Sequence, residues 1–256
     1  SSIQDTGRQG LAFYAIPASG CIDKQSASYA NILLKKHIDS ALIECTMIAP
    51  HIAFLSNTQI VIAGADFQWT LNDNPVECGC IINIKKDDIL KGKISTEGNR
   101  AYISVNGELE LPKTYDSTST YINGNFGGHL GKALSKGDII QWKDYPSVIS
   151  DIQMTVHFKK NNKLKFYKGP EFDWLSDADK SKLFSMAFTV KPESNRMGIR
   201  LKSDIVMSSR KQLNHSVPVL PGFIQLPPDG QLIVLMNDAQ VTGGYPRIGY
   251  IGAESI

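Results

Sequence analysis

The clearest alternation of apolar and polar positions runs through Ile152, Met154, Val156 and Phe158, with Asp151, Gln153, Thr155 and His157 between them. A period of two puts the first set on one face of a strand and the second on the other. The polar run 159–163 follows, then Leu164 and Phe166 alternate again, which predicts a hairpin. His157 falls on its polar face and reads as a solvated strand histidine. Residues 59–64 form a short apolar run closed by glycine, and residues 232–236 form another; both predict buried strands. Residues 100–105 predict a further strand, and Asn106-Gly107 after it is a turn signal. Two segments read as helices. From Asp23 to about His37, Ala27, Ala30, Asn31 and Leu34 recur at helical spacing behind Asp23 as N-cap. Ser176-Asp177-Ala178-Asp179 has capping-box spacing ahead of Leu183 and Phe184. Few helices among many short, glycine-punctuated strands predict a mainly β fold of barrels or sandwiches.

The polar stretch Lys143-Asp144-Tyr145-Pro146-Ser147 is the best linker candidate. Lys86-Asp87-Asp88-Ile89-Leu90 and Lys136-Gly137-Asp138-Ile139-Ile140 resemble each other, as two turns entering strands would, and no longer repeat accompanies them.

The composition, 42% hydrophobic and 20% charged over 256 residues, is that of a globular protein of one large or two small domains. The net charge of +2 comes without a basic stripe and gives no reason to invoke nucleic acid or an anionic membrane. No apolar run approaches the ~20 residues of a membrane helix, and the first residues lack a signal-peptide pattern, so a cytoplasmic protein is expected. Of Cys21, Cys45, Cys78 and Cys80 only the last two are close. Their one-residue spacing does not suit zinc or thioredoxin chemistry, and reduced thiols are expected. The histidines show no paired spacing. No phosphate-binding loop is present, since Gly124-Asn125-Phe126-Gly127-Gly128 lacks the lysine, and no nucleophile elbow appears. ATP and metal therefore have no visible home on this chain.

Four segments concentrate glycine with polar residues: 2–10, 17–23, 192–201, and 225–231 together with 237–246. Such loops suit ligand approach as well as tight turns. Read in order, Ser2-Ile3-Gln4-Asp5, Gly7-Arg8, Ser19-Gly20, Asp23, Ala30-Asn31-Ile32-Leu33, Glu44-Cys45-Thr46 and Ile62-Ala63-Gly64-Ala65-Asp66 resemble the family of 5-oxoprolinase C subunits and biotin-dependent carboxyltransferase-like proteins (allophanate hydrolase subunit 2). Ser117-Thr118-Ser119-Thr120-Tyr121, Gly127-Gly128, Gly131, Gly169-Pro170, Ser194-Asn195-Arg196-Met197-Gly198 and Thr242-Gly243-Gly244-Tyr245-Pro246 continue the likeness, which covers essentially the whole chain. The resemblance implies two cyclophilin-like β-barrel domains, 1–145 and 146–256. It implies a KipI-like B subunit and an A subunit as partners, with 5-oxoproline opened to glutamate and ATP bound with or by the partners. Relatives supply the alternatives: a carboxyltransferase component acting on urea or a similar amide, and a non-catalytic regulator.

The matched loops supply the candidate substrate-binding residues. Asn195 and Arg196 are expected to orient a carboxylate or carbonyl, the arginine through its fork. Gln225, Asp238 and Gln240 are expected to hydrogen-bond an amide. Thr242, Gly243 and Gly244 offer backbone donors to an oxyanion, and Tyr245 belongs to the same candidate substrate-binding cluster. Gln231 lies across the predicted strand 232–236 from Asp238 and reads as structural. Asp5, Arg8 and Asp23 either line a cleft or cap local structure. No general base and no metal ligand set stands out. The sequence departs from the family at Ala239, where an arginine is usual, at Gln9 in place of proline, and at Glu108 in place of glycine. Family members run further past Tyr245-Pro246, so this chain, stopping at Ile256, is expected to be truncated or to end differently.

Overall fold

The computed structural model describes residues 1–148, 163–205 and 212–252. The hairpin predicted around Ile152 to Phe158, with His157, lies outside the described residues. The rest is mainly β, with short strands and two α-helices, α1 (Lys24–Leu33) and α2 (Asp177–Ser185). The chain divides into two units, Ser1–Arg8 with Ser19–Lys159, and Gln9–Ala18 with Lys160–Ile256. Among the described residues no helix is long and apolar enough to cross a membrane.

The first unit is built on an antiparallel sheet in the order Ser2–Gln4, Leu42–Thr46, Glu97–Val105, Thr58–Asp66, Ile81–Ile84. The continuous apolar run Ile60-Val61-Ile62-Ala63 is buried on both faces. Ile60 and Ile62 enter the main core with Ile43, Phe67, Trp69 and Ile103. Val61 and Ala63 meet Tyr29, Ala30, Leu33 and Leu34 of α1 and its end. This two-sided burial explains why the strand does not alternate. Burying each such side chain contributes about 1.5–3 kcal/mol, and Ile62→Ala costs about 2–5 kcal/mol.

Asp23 caps α1 through Oδ1, which accepts Ser26 N–H at 2.9 Å. The helix ends earlier than the sequence predicts. Leu34 N–H returns to Asn31 C=O, and Lys35 takes a left-handed φ of 54°. The Asn31 amide then donates to the carbonyls of Ile38 and Ser40, which holds the chain in a loop.

Asn106-Gly107 is not the hairpin turn expected from its sequence. Gly107–Leu109 pairs instead with Trp142–Asp144. A Cβ on Gly107 would stand 2.6 Å from the Lys143 carbonyl, so glycine serves close strand approach here. The stretch expected to be a linker is bonded into the first unit. Asn106 Nδ2 donates to the Tyr145 and Pro146 carbonyls, and Val148 N–H donates to Gln59 Oε1 at 2.7 Å.

The second unit carries an antiparallel sheet in the order Phe166–Lys168, Arg247–Ile251, Phe223–Gln225, Leu232–Leu235, Gly198–Lys202, Thr189–Val190. Its core gathers Phe172, Leu183, Ile224, Leu226, Leu232 and Ile248. Ser176 caps α2 by accepting Asp179 N–H, as its spacing predicts. A two-stranded ribbon pairs Val217–Pro218 with Thr242–Gly243. Barrel closure is not seen among the described residues. Among those residues each main sheet ends on two strands that pair on one side only.

Candidate functional site

The sheet of the second unit joins residues of its glycine-rich loops into two groups. Gly198–Lys202 pairs with Leu232–Leu235 up to Gly198 opposite Leu235. Beyond that pair the ladder continues irregularly, with Met236 N–H to Met197 C=O at 3.0 Å and Asp238 N–H to Arg196 C=O at 2.9 Å. This brings Arg196 beside Asp238 across 42 residues. The Arg196 Nε donates to Asp238 Oδ2 at 2.9 Å and Nη2 donates to Oδ1 at 3.0 Å. Both side chains are largely buried, at 11% and 4% exposure. The fork that the sequence assigned to a ligand carboxylate thus grips a carboxylate of its own chain. Asn195 is exposed, and its Oδ1 accepts Met197 N–H at 2.8 Å, closing the loop that carries Arg196.

A second group stands on the other side of Ala239. Gln240 Nε2 donates to Gln225 Oε1 at 3.4 Å. Gln225 ends the strand Phe223–Gln225, where the register against Arg247–Ile251 shifts between Ile224 and Gln225. It is buried, and its Nε2 has no partner among the described residues. That amide lies against Gly243, where a Cβ would overlap it. Thr242, Gly244 and Tyr245 are exposed beside it. The two groups offer a fixed carboxylate within an ion pair, two carboxamides, and exposed Gly244 and Tyr245 just after the short strand Thr242–Gly243. These are groups that read planar amides by hydrogen bonding. Gln231 is half-buried outside this cluster, and its N–H turns to Asp229 Oδ1 at 3.1 Å.

Ala239 is buried in an apolar wall with Val219 and Leu235, against partly buried Phe223 and Ile233. The sequence did not reveal a second fork pairing in this unit. Arg247 Nε and Nη2 donate to the two carboxylate oxygens of Glu171, each at 3.0 Å. Their separation of 76 residues carries no local signal.

Asp5, Arg8 and Asp23 belong to the first unit. Asp5 accepts from Ser117 Oγ at 2.7 Å, Ser119 Oγ at 2.5 Å, Thr118 N–H at 2.6 Å and Gly7 N–H at 2.8 Å. Burial alone would raise its pKa. The bonds from Ser119, Ser117, Gly7 and Thr118 together outweigh burial and hold the carboxyl below its ordinary range. Arg8 donates to the carbonyls of Thr114 and Ser119 and lies 4.7 Å from the Phe126 ring centre. Gly127 and Gly128 close over this knot with positive φ, where side chains would collide with Ser119, Arg8 and Thr120. Asp5 also borders a polar cavity of about 310 Å³ together with His37, Asp39, Glu108 and Lys113. Asp23 caps α1, and its N–H donates to Tyr102 Oη, which in turn donates to the buried Glu44 carboxylate at 2.9 Å. Among the described residues no group of three or more histidine, cysteine, aspartate or glutamate side chains could hold a metal ion.

The chain is 31% identical to the 5-oxoprolinase C subunit of Escherichia coli (strain K12) over 253 residues, 98% of this chain and 81% of that one. The corresponding C subunit of Haemophilus influenzae is 28% identical over the same shares. Urea amidolyase of Lachancea kluyveri is 30% identical over 78% of this chain, but only 12% of that protein. Among solved structures, TTHA0988 superposes with a TM-score of 0.86 at 23% identity, a likeness of fold. The chain is covered to 99% and spans half the length of TTHA0988. The K. lactis urea amidolyase superposes with a TM-score of 0.86 at 25% identity, over 99% of this chain and 17% of that one. The carboxyltransferase domain, subdomains A and B, matches residues 14–256, and the chain belongs to this family.

Proposed function

We propose that this chain is the C subunit of an ATP-dependent 5-oxoprolinase, active with its A and B partners and opening 5-oxoproline to L-glutamate in the cytoplasm. The observation that carries the reading is the 31% identity to a 5-oxoprolinase C subunit over 98% of the chain. In this reading the cluster of Arg196, Asp238, Gln225 and Gln240 receives the lactam amide, with Asn195 holding the loop of Arg196. The turn Thr242 to Tyr245 meets the carbonyl oxygen as negative charge develops there. ATP is handled with or by the partners. The cyclophilin-like character of the two units belongs to the same proposal. The likeness to urea amidolyases supports a second reading, a carboxyltransferase component acting on urea or a similar amide.

The test is reconstitution. The purified chain alone should release no glutamate from 5-oxoproline and ATP, and addition of the A and B partners should start turnover. No turnover with both partners present, together with transfer of a carboxyl group to urea from a carboxylated biotin carrier, would replace the first reading by the second.

A further inference from the structure

Among the described residues, the main sheet of the first unit ends on a strand that pairs on one side only. Ile81–Ile84 pairs with Thr58–Asp66 and with no other described strand. Thr58 lies opposite Ile84 and Ile60 opposite Ile82. The Gln59 carbonyl turns the other way, accepting Asn106 N–H, while Ile62 C=O accepts Gly79 N–H. Backbone groups alternate in direction along a strand, so Ile82 and Ile84 bond inward while the N–H and C=O of Ile81 and Asn83 face outward. Such an edge is a template for another strand. No proline or charge lies within Ile81-Ile82-Asn83-Ile84 to blunt it.

The surroundings favour an added strand. Ile82 and Ile84 enter the main core, and Ile81 packs against the cluster of Tyr29 and Leu33. Tyr29 Oη donates to Gly79 C=O at 3.4 Å, which sets α1 beside the turn that opens this strand. Ile32, one turn on along the same flank of α1, is 54% exposed.

Charge selects the occupant. Exposed Glu77 precedes the strand, and exposed Asp66 ends the strand to which Gly79 is tied. Exposed Lys85 and Lys86 follow it. Asp88 is turned back into its own turn, accepting Lys85 N–H and Asn72 Nδ2, each at 2.7 Å. Asp87 sits at the corner with φ of 71°, off the strand line. An edge that is acidic before and basic after is complementary to itself when reversed. We propose that two copies of this chain join through Ile81–Ile84, antiparallel about a two-fold axis at Ile82. Ile81 of each copy then exchanges backbone hydrogen bonds with Asn83 of the other. Lys85 and Lys86 of each come opposite Gly79 and Cys78 of the other, beside Glu77. One patch serves both copies, as two-fold symmetry requires.

Light scattering on the purified chain across micromolar to sub-millimolar concentrations should show a monomer–dimer equilibrium. Asn83→Pro removes an outward N–H and keeps the inward backbone ladder; it also removes the Oδ1 that accepts Gln59 Nε2 at 2.9 Å, while Gln59 Nε2 keeps the Val148 carbonyl. It should weaken the dimer by at least about tenfold. The paired change Lys85→Glu with Lys86→Glu touches only exposed side chains. It should weaken self-association too, and mixing that variant with Glu77→Lys should restore a mixed dimer. A wild-type chain that stays monomeric throughout overturns the proposal. So does a dimer indifferent to both Asn83→Pro and the lysine changes. If these variants abolish binding of the B partner while self-association persists, the edge belongs to that partner and the dimer is refuted.

Discussion

Arg196 and Asp238 meet at two points, Nε to Oδ2 at 2.9 Å and Nη2 to Oδ1 at 3.0 Å, in a nearly buried setting. Such a pair is expensive to break from one side, because the remaining charge stays buried without its counterion. Arg196→Ala should therefore destabilise the chain by about 3–5 kcal/mol. Loss of activity in that variant alone would be ambiguous. Replacing both partners, as Arg196→Met with Asp238→Leu, should recover most of the stability while the reconstituted complex stays inactive. Urea unfolding and glutamate release measure the two effects separately. A double variant that retains turnover would remove this pair from the site.

Asp5 predicts an acid limb of stability. Its folded pKa lies below the ordinary 3.8, so its contribution is fully present above that value. The contribution is lost as pH falls through the folded pKa. Asp5→Asn should abolish this part of the pH dependence and lower stability at neutral pH, since a carboxamide cannot accept from Ser117, Ser119, Thr118 and Gly7 together. Unfolding curves at pH 7 and pH 3 for both proteins decide the point.

What the sequence shows depends on how far apart the interacting residues lie. The caps at Asp23 and Ser176 are local, and both occur as their spacing predicts. The two Lys-rich turns are also equivalent. Lys85 N–H meets Asp88 Oδ2 at 2.7 Å, and Ser135 N–H meets Asp138 Oδ2 at 2.8 Å. Asn106-Gly107 misled because a turn dipeptide is a local signal, and here a strand more than thirty residues away claims Gly107. The candidate loops were visible as glycine-rich segments, yet the partner of Arg196 was not. That pairing follows from the ladder between Gly198–Lys202 and Leu232–Leu235, which no periodicity encodes. Asp5 and Arg8 lie in a glycine-rich segment as the site loops do, but Asp5 is held by Gly7 and the Ser117 to Ser119 segment, and Arg8 by the carbonyls of Thr114 and Ser119, all in their own unit.

Lys36 makes a prediction in the alkaline range. It is 6% exposed, with Nζ donating to the Val105 carbonyl at 2.8 Å. Burial lowers its pKa from 10.5 to about 8, against a smaller opposing effect of Glu108. Between those values the unfolded chain binds a proton that the folded chain has released. Stability should therefore rise with pH across that window, and below about 8 the full cost of the buried charge is present. Lys36→Met should flatten the rise, which is on the order of a few kcal/mol at most. Denaturant midpoints at pH 7.5 and 10 compare the two proteins; equal slopes would show that Lys36 keeps its charge throughout.

Ala239 stands between the two halves of the candidate site, with Asp238 held by Arg196 on one side and Gln240 bonded to Gln225 on the other. Its methyl is 5% exposed and packs with Val219 and Leu235. An arginine here would bring a guanidinium into an apolar wall. The neighbouring carboxylate, Asp238, already meets Arg196 with both of its oxygens. Overpacking alone costs about 1–3 kcal/mol, and an unpaired buried charge adds to it. Ala239→Arg should therefore lower the unfolding midpoint and leave the turnover of the reconstituted complex no higher. An Ala239→Arg variant of unchanged stability and raised activity would show that the side chain leaves the wall and takes part in substrate binding. Position 239 would then be part of the binding surface instead of its support.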